Sequence, residues 1–224
     1  MNPKELAGKR AVAFVESGMV LGLGSGSTAY YAVCEIGRLL RDGALRDILG
    51  IPTSRETERL ARELGIPLTT LQEHPHIALT IDGADEVDPQ GNLIKGGGGA
   101  LLHEKIVARA SEREIIVVDE TKLVPFLGSH FPLPVEVIPF GWNICARELE
   151  RLGCQPALRR SAQGPYITDE QNYILDCTIP PSAELAPLEK EINNIPGVVE
   201  NGLFLGYASL VIVGSPEGTR TLSL

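Results

Sequence analysis

Five short runs of this chain are apolar almost from end to end: residues 19–23, 48–52, 77–81, 115–118 and 208–213. A strand with one wet face alternates polar and apolar side chains. A run without alternation has both faces covered, the habit of parallel sheets packed between helices. Helical stretches separate the runs. The first spans residues 3–17 and opens with Asn2-Pro3-Lys4-Glu5, an N-cap, a proline at the first helical position and a capping-box glutamate. The next reaches about residue 40, another is capped by Ser54 and ends before Gly65, and a fourth covers residues 100–110. Strands alternating with helices predict a Rossmann-like, mostly parallel α/β sheet.

The pattern changes near Ser129. Prolines 132, 134 and 139 punctuate a strand at 133–138, followed by a helix at 142–152, strands near 157–160 and 173–177, a helix at 185–193 and a strand at 198–204. Strand–helix–strand–strand–helix–strand is the order of a ferredoxin-like α+β unit. The run at 208–213 then returns the chain to the first sheet. The reading is an α/β catalytic domain of residues 1–128 plus 205–224, with a smaller ferredoxin-like domain at 129–204.

Charge narrows the partners. Twenty Lys and Arg against 29 Asp and Glu leave a net charge of −9. A nucleic-acid surface needs the opposite excess. A phosphorylated ligand would have to be held by local N–H groups and lysines against the overall field. The four cysteines (34, 145, 154, 177) form no C-x-x-C pair, which argues for reduced thiols in a cytoplasmic protein. No apolar run has the length of a membrane span, and the N-terminal stretch has no signal-peptide core.

The chemistry concentrates in two places. Between the first strand and its helix lies Gly24-Ser25-Gly26-Ser27-Thr28-Ala29. Backbone N–H groups and hydroxyls of Ser25, Gly26, Ser27 and Thr28 suit a phosphate at the helix N-terminus. The turn also fits the dinucleotide pattern, but the acid wanted roughly 20 residues on is replaced by Pro52-Thr53-Ser54. A tight βα turn without a ligand is the alternative. The second place is IDGADEVDPQGNLIKGGGGALLHEK at residues 81–105, read as one turn–loop–helix unit. Asp82, Gly83, Ala84 and Asp85 follow an apolar strand, where parallel sheets bind ligands. Two carboxylates there suit sugar hydroxyls; a metal set completed by Glu86 and Asp88, or plain Asx turns, are the alternatives.

Lys95 precedes the run of glycines 96–99, whose backbone can approach whatever the lysine faces. Glu104 lies just inside the next helix. Taken alone it would be surface decoration in a ladder with Lys105 and Arg109. His103 is a rival base, but adjacent helical residues point about 100° apart and do not share a site. Lys122 follows the fourth strand, on the same sheet edge as Asp82, as a second phosphate cation. Together these residues suit proton transfer on a small anionic, polyhydroxylated substrate.

The motifs GLGSGSTA (22–29), PTSRETERLA (52–61), IDGADEVD (81–88), IKGGGGAL (94–101), HEKIVA (103–108), DETK (119–122), FPLPVEVIP (131–139) and IPGVVENGLF (195–204) resemble those of the type A ribose-5-phosphate isomerases, in order and nearly end to end. The resemblance implies interconversion of D-ribose 5-phosphate and D-ribulose 5-phosphate in the pentose phosphate pathway, without metal or other cofactor, by a homodimer or homotetramer. By matching motifs it implies Glu104 as the proton-transferring base. It implies Asp82 and Asp85 on the sugar hydroxyls and in ring opening, with Lys95 beside them. Ser25 to Thr28, Lys95 with Gly96, Gly97 and Gly98, and Lys122 would complete the substrate site. Ser25 stands where threonine is common in that family; the hydroxyl is kept. Two other readings are a coenzyme A transferase-like enzyme, which needs room for a long thioester, and a non-catalytic sugar-phosphate sensor. The sensor would carry a DNA-binding helix pair, for which the stretch before the first helix leaves no space.

Overall fold

The computed structural model describes residues 2–222 and 224. Along the chain come helix α1 (Pro3–Val12), strand β1 (Val20–Leu23), α2 (Ala29–Arg41), β2 (Leu49–Pro52), α3 (Arg55–Glu63), β3 (Leu79–Asp82), β4 (Glu86–Val87) and β5 (Leu93–Ile94). They are followed by α4 (Leu101–Arg109), β6 (Glu114–Asp119), a 3-10 turn (Glu120–Lys122), β7 (Leu133–Val137), α5 (Trp142–Arg151) and β8 (Gln155–Leu158). The chain ends with β9 (Arg160–Ser161), β10 (Gly164–Pro165), β11 (Tyr173–Thr178), α6 (Leu185–Asn193), β12 (Val198–Asn201), β13 (Leu203–Phe204), β14 (Leu210–Ser215) and β15 (Gly218–Leu222).

These elements form two compact units: Met1–Ala84 with His103–Leu123 and Gly206–Leu224, and Asp85–Leu102 with Val124–Leu205. The first unit carries a six-stranded sheet in the order β15-β14-β6-β3-β1-β2, parallel except for the edge strand β15. Four of the five apolar runs are its inner strands and the fifth is the edge strand β2; Leu21, Leu23, Ile81, Ile115, Val117 and Ile212 are all at most 3% exposed. Helix α1 starts as its sequence directs: Asn2 accepts a hydrogen bond from Lys4 N, with proline in the first turn. Glu5 turns to Lys9. The helix stops at Val12 rather than residue 17, because the next bonds run back three residues and tighten the chain into a turn.

In the second unit the sheet order β12-β7-β11-β8, antiparallel throughout, with α5 and α6 as crossovers, is the ferredoxin-like arrangement. Leu133, Val135, Val137, Leu149, Leu175 and Ile192 fill its core at 0% exposure. Two features differ from the sequence reading. The stretch 198–204 is not one strand: it breaks at Gly202 into β12 and β13, and β13 pairs with β5 in a separate three-stranded sheet β13-β5-β4. A Cβ at Gly202 would lie 2.3 Å from the Lys95 carbonyl oxygen, so only glycine lets the backbone cross there. That small sheet also ties residues 86–94 to 203–204, so Asp85–Leu102 groups with the second unit, as do residues 124–128 and Leu205. Residues 1 and 223 of the expected first domain lie outside the described residues.

Candidate active site

In the first unit, β1 is flanked by β2 on one side and β3 on the other, so the chain reverses direction across the sheet between β1 and β3. Open parallel sheets bind ligands at the carboxyl ends of strands at such a switch point. Gly24 and Asp82 meet there. Gly24 N donates to Ile81 O at 3.0 Å, and Ser25 N to Asp82 Oδ1 at 2.9 Å. Asp82 is fully buried and also accepts from Gly83 N at 2.7 Å.

The turn after β1 is fastened by hydroxyls. Ser25 Oγ lies 2.8 Å from Thr53 Oγ1, 2.8 Å from Ser54 Oγ and 3.1 Å from Thr57 Oγ1. Thr57 Oγ1 donates to Gly24 O, and Thr53 Oγ1 to Leu23 O. Ser54 caps α3 by accepting from Thr57 N. Where a dinucleotide protein has its acid, this chain has hydroxyls that brace the turn. Ser25 thus spends both its N–H and its hydroxyl inside the protein. Gly26 and Ser27 are exposed, while Thr28 is buried at the start of α2. Lys4 Nζ donates to Ser27 Oγ at 2.8 Å and lies 3.9 Å from Asp119 Oδ2. In the sequence Lys4 is only one charge at a helix start, and nothing there signals that α1 brings an ammonium to this turn. A cleft of about 630 Å³ opens beside it, lined in part by Gly24, Gly26, Ser27, Tyr31, Thr57 and Arg59.

Asp119 caps the 3-10 turn through Thr121 N and hydroxyl, and half-buried Lys122 ends that turn. Glu104 lies in the first turn of α4 and is 6% exposed, so it is not surface decoration, and neither is Lys105, also 6% exposed. A carboxylate held out of bulk water in a helix is retained for a reason other than solubility.

In the second unit the β4–β5 register pairs Glu86 with Ile94, which sets Asp85 opposite Lys95. Asp85 N donates to Ile94 O at 2.8 Å, and Asp85 Oδ2 accepts from Gly97 N at 2.7 Å. The Lys95 side chain is 2% exposed, its ammonium 5.5 Å from the centre of the Phe204 ring. Gly96 (φ 102°) and Gly99 (φ 81°) take left-handed backbone, and Gly99 N closes the turn on Gly96 O.

Glu86 and Asp88 do not complete a metal set. Glu86 accepts backbone N–H bonds from Gly128, His130 and Phe131, and Asp88 accepts from Gln90 N, Asn92 N and Asn92 Nδ2. Both carboxylates organise loops. Among the described residues no group of three or more His, Cys, Asp or Glu could hold a metal ion, and no helix is long and apolar enough to cross a membrane. All four cysteines are free thiols. Burial pushes the Cys145, Cys154 and Cys177 thiols up, away from the nucleophilic form.

The first unit is a mostly parallel α/β sheet with a glycine- and hydroxyl-rich turn at its switch point, and the second unit is antiparallel and carries a buried lysine and a glycine run. The model of the family described as ribose 5-phosphate isomerase A (phosphoriboisomerase A) matches residues 49–218. A ribose-5-phosphate isomerase A of Gloeobacter violaceus is 57% identical over 98% of this chain and 95% of its own. The solved ribose 5-phosphate isomerase A of Methanocaldococcus jannaschii is 44% identical, covering 100% of this chain and 99% of that one, with a TM-score of 0.95. A D-ribose-5-phosphate isomerase solved in complex with phospho-erythronic acid is 43% identical over 100% of both chains, with a TM-score of 0.97. The chain belongs to the ribose 5-phosphate isomerase A family and is an isomerase of that type.

Proposed function

We propose that this isomerase interconverts D-ribose 5-phosphate and D-ribulose 5-phosphate, with Glu104 as the group that moves the proton. The observation that carries the assignment is the burial of Glu104 at the start of α4, directly after the lysine–glycine segment. The relative that binds phospho-erythronic acid supports it. That ligand is a phosphorylated sugar acid, and its planar carboxylate stands in for the two oxygens of an enediolate.

In the reading proposed, the open-chain aldose binds with its phosphate at the turn of Gly26, Ser27 and Thr28, with Lys122 and Lys4 as cations. Ser25 supports that turn from inside. Asp82 and Asp85, with Gly83 and Ala84 between them, orient the hydroxyls and assist ring opening. The Glu104 carboxylate takes the proton from C2 as the C1 carbonyl becomes an enolate oxygen. The same proton, now on Glu104, goes to C1, while the proton of the C2 hydroxyl passes to the C1 oxygen, so that C2 becomes the ketose carbonyl and C1 a primary alcohol. No electrons leave the substrate, so the step needs no redox cofactor. Negative charge grows on the C1 oxygen, where the Lys95 ammonium and the Gly98 N–H stabilise it, while Gly96 and Gly97 shape the turn and the Gly97 N–H stays on Asp85. Removing one such donor costs about 3–4 kcal/mol in measured cases.

The test is turnover of ribose 5-phosphate to ketose with EDTA present, by wild type and by Glu104→Gln. Turnover by wild type and none by the variant is expected. An inactive wild type, or an active variant, overturns the assignment. Lys122→Ala should mainly raise KM, since the phosphate is remote from the reacting carbons. The same reading includes a cytoplasmic homo-oligomer, dimer or tetramer, which light scattering on the purified protein checks.

A further inference from the structure

Three successive carbonyls of the glycine run are tied down from one side by groups more than 60 residues away in sequence. Arg159 follows β8 with its side chain 12% exposed. Its Nη1 donates to Gly96 O and Gly97 O, both at 3.0 Å. Its Nε and Nη2 donate to the two carboxylate oxygens of Asp176, on β11, at 2.9 and 2.5 Å. The guanidinium also lies 5.6 Å from the centre of the Tyr166 ring, and Tyr166 Oη donates to Gly98 O at 2.8 Å. The same phenol fills the space beside Gly99, where an added Cβ would lie 2.4 Å from its oxygen.

In a trans peptide the N–H of one residue points opposite to the carbonyl of the residue before it. Holding the carbonyls of residues 96, 97 and 98 therefore sets the N–H groups of residues 97, 98 and 99. Gly97 N goes to Asp85 and Gly99 N to Gly96 O. The Gly98 N–H is aimed away from the Arg159-bound carbonyl, on a stretch where an added Cβ meets nothing within 4 Å. A cation on a peptide oxygen also withdraws electron density and strengthens that peptide's N–H as a donor.

We propose that Arg159, locked by Asp176 and assisted by Tyr166, is the positioning residue that aims the N–H groups of the glycine run, Gly98 above all, at the substrate oxygen that gains charge. Arg159 touches no reacting atom and acts through the loop backbone. The role needs a planar fork, because one side chain must grip a carboxylate with two nitrogens and reach two carbonyls with the third. The inference rests on the isomerase reading, and its test is split so that the two can fail separately.

The first measurement needs no substrate. Amide hydrogen exchange of the segment spanning residues 95–101 is compared in wild type, Arg159→Ala, Arg159→Lys and Tyr166→Phe. Exchange should speed up more than tenfold in Arg159→Ala and less in Tyr166→Phe; unchanged exchange in Arg159→Ala overturns the link between the guanidinium and the loop. The second is steady-state turnover of ribose 5-phosphate. Arg159→Ala should lose on the order of 10²-fold in kcat, the scale of one lost oxyanion donor, with KM changed less than threefold. Arg159→Lys should remain low despite its charge. Millimolar guanidinium ion should restore part of the Arg159→Ala turnover. A wild-type kcat in Arg159→Ala, or losses that only follow the folded fraction measured by thermal denaturation without guanidinium rescue, overturns the proposal. Should Arg159→Ala not fold, Tyr166→Phe decides: unaltered exchange and unaltered kcat in that variant count against it. An inactive wild type defeats the isomerase reading, while the exchange measurement still judges the loop.

Discussion

The two glycine-rich loops are held in opposite ways. The turn after β1 is braced by neighbours: Gly24 packs onto Asp82 and Ile81, and hydroxyls of Thr53, Ser54 and Thr57 converge on Ser25. The run at residues 96–99 is held by its carbonyls, through a guanidinium and a phenol of the ferredoxin-like unit. In the first, the glycine that matters most is required by the protein itself. In the second, Gly98 meets no protein need: its φ is ordinary and a Cβ there would face open space. Glycine in a loop can thus mean tight internal packing or room for a visitor, and only the surroundings tell which.

The largest expected effect lies outside both loops and fixes the reference for them. Glu104→Gln keeps the size of the side chain but removes the carboxylate proposed as the base. Positioned proton transfer is worth roughly 10²–10⁴ in rate, so kcat should fall by that factor. Thermal midpoint and substrate affinity, read by calorimetry, should stay at the wild-type values. Loss of affinity with the loss of turnover would mean that Glu104 also helps to hold the sugar.

Next in size is Gly24→Ala. The added Cβ would sit 2.4 Å from Asp82 Cα and from Ile81 O, both parts of the β3 backbone. Backbone cannot step aside as a flexible side chain does, and overpacking of this kind costs about 1–3 kcal/mol. A urea midpoint lowered accordingly is the expected result. An unchanged midpoint would remove the distinction drawn between the loops.

Most of the architecture can be read from the chain because both sheets obey local rules. Unalternating apolar runs demand cover on both faces, and the strand–helix order after Ser129 admits few topologies. Ser54 and Asn2 announce helix starts with their own side chains. What escapes the sequence is made by residues distant along the chain. The break at Gly202 is dictated by the Lys95 carbonyl, and strands as short as β4 and β5 have too few residues to show a period. The hydroxyl cluster under Ser25 joins residues 25, 53, 54 and 57 only after β1 and β2 pair. Glu104 and Lys95 stand out in the sequence only through their motifs; their burial is not legible there, since no local pattern marks a charged residue as buried.

Gly98→Ala probes the second loop where its glycine has no structural duty. Stability should stay within about 0.5 kcal/mol of wild type, as for substitutions that meet no packing constraint. KM for ribose 5-phosphate should nevertheless rise several-fold, because the methyl group occupies the side from which a ligand reaches the N–H. Gly99→Ala is the control, with φ at 81° and Tyr166 against the Cβ position, and it should lose stability instead. Equal behaviour of the two variants would show that the open face of Gly98 is not used.

The smallest effect belongs to Lys4, the cation that α1 lends to the first loop. Its side chain is 35% exposed, so water and salt screen it strongly. Lys4 Nζ reaches Ser27 Oγ, whereas the second loop has its lysine almost fully buried. Exposed charges of this kind contribute about 0.2–1 kcal/mol, so Lys4→Ala should raise KM no more than about fivefold and leave kcat unchanged. The difference from wild type should shrink as salt is raised from low to near-molar concentration, since only a screened, long-reaching attraction has been removed. A defect that is large and independent of salt would place Lys4 in direct, desolvated contact with the phosphate.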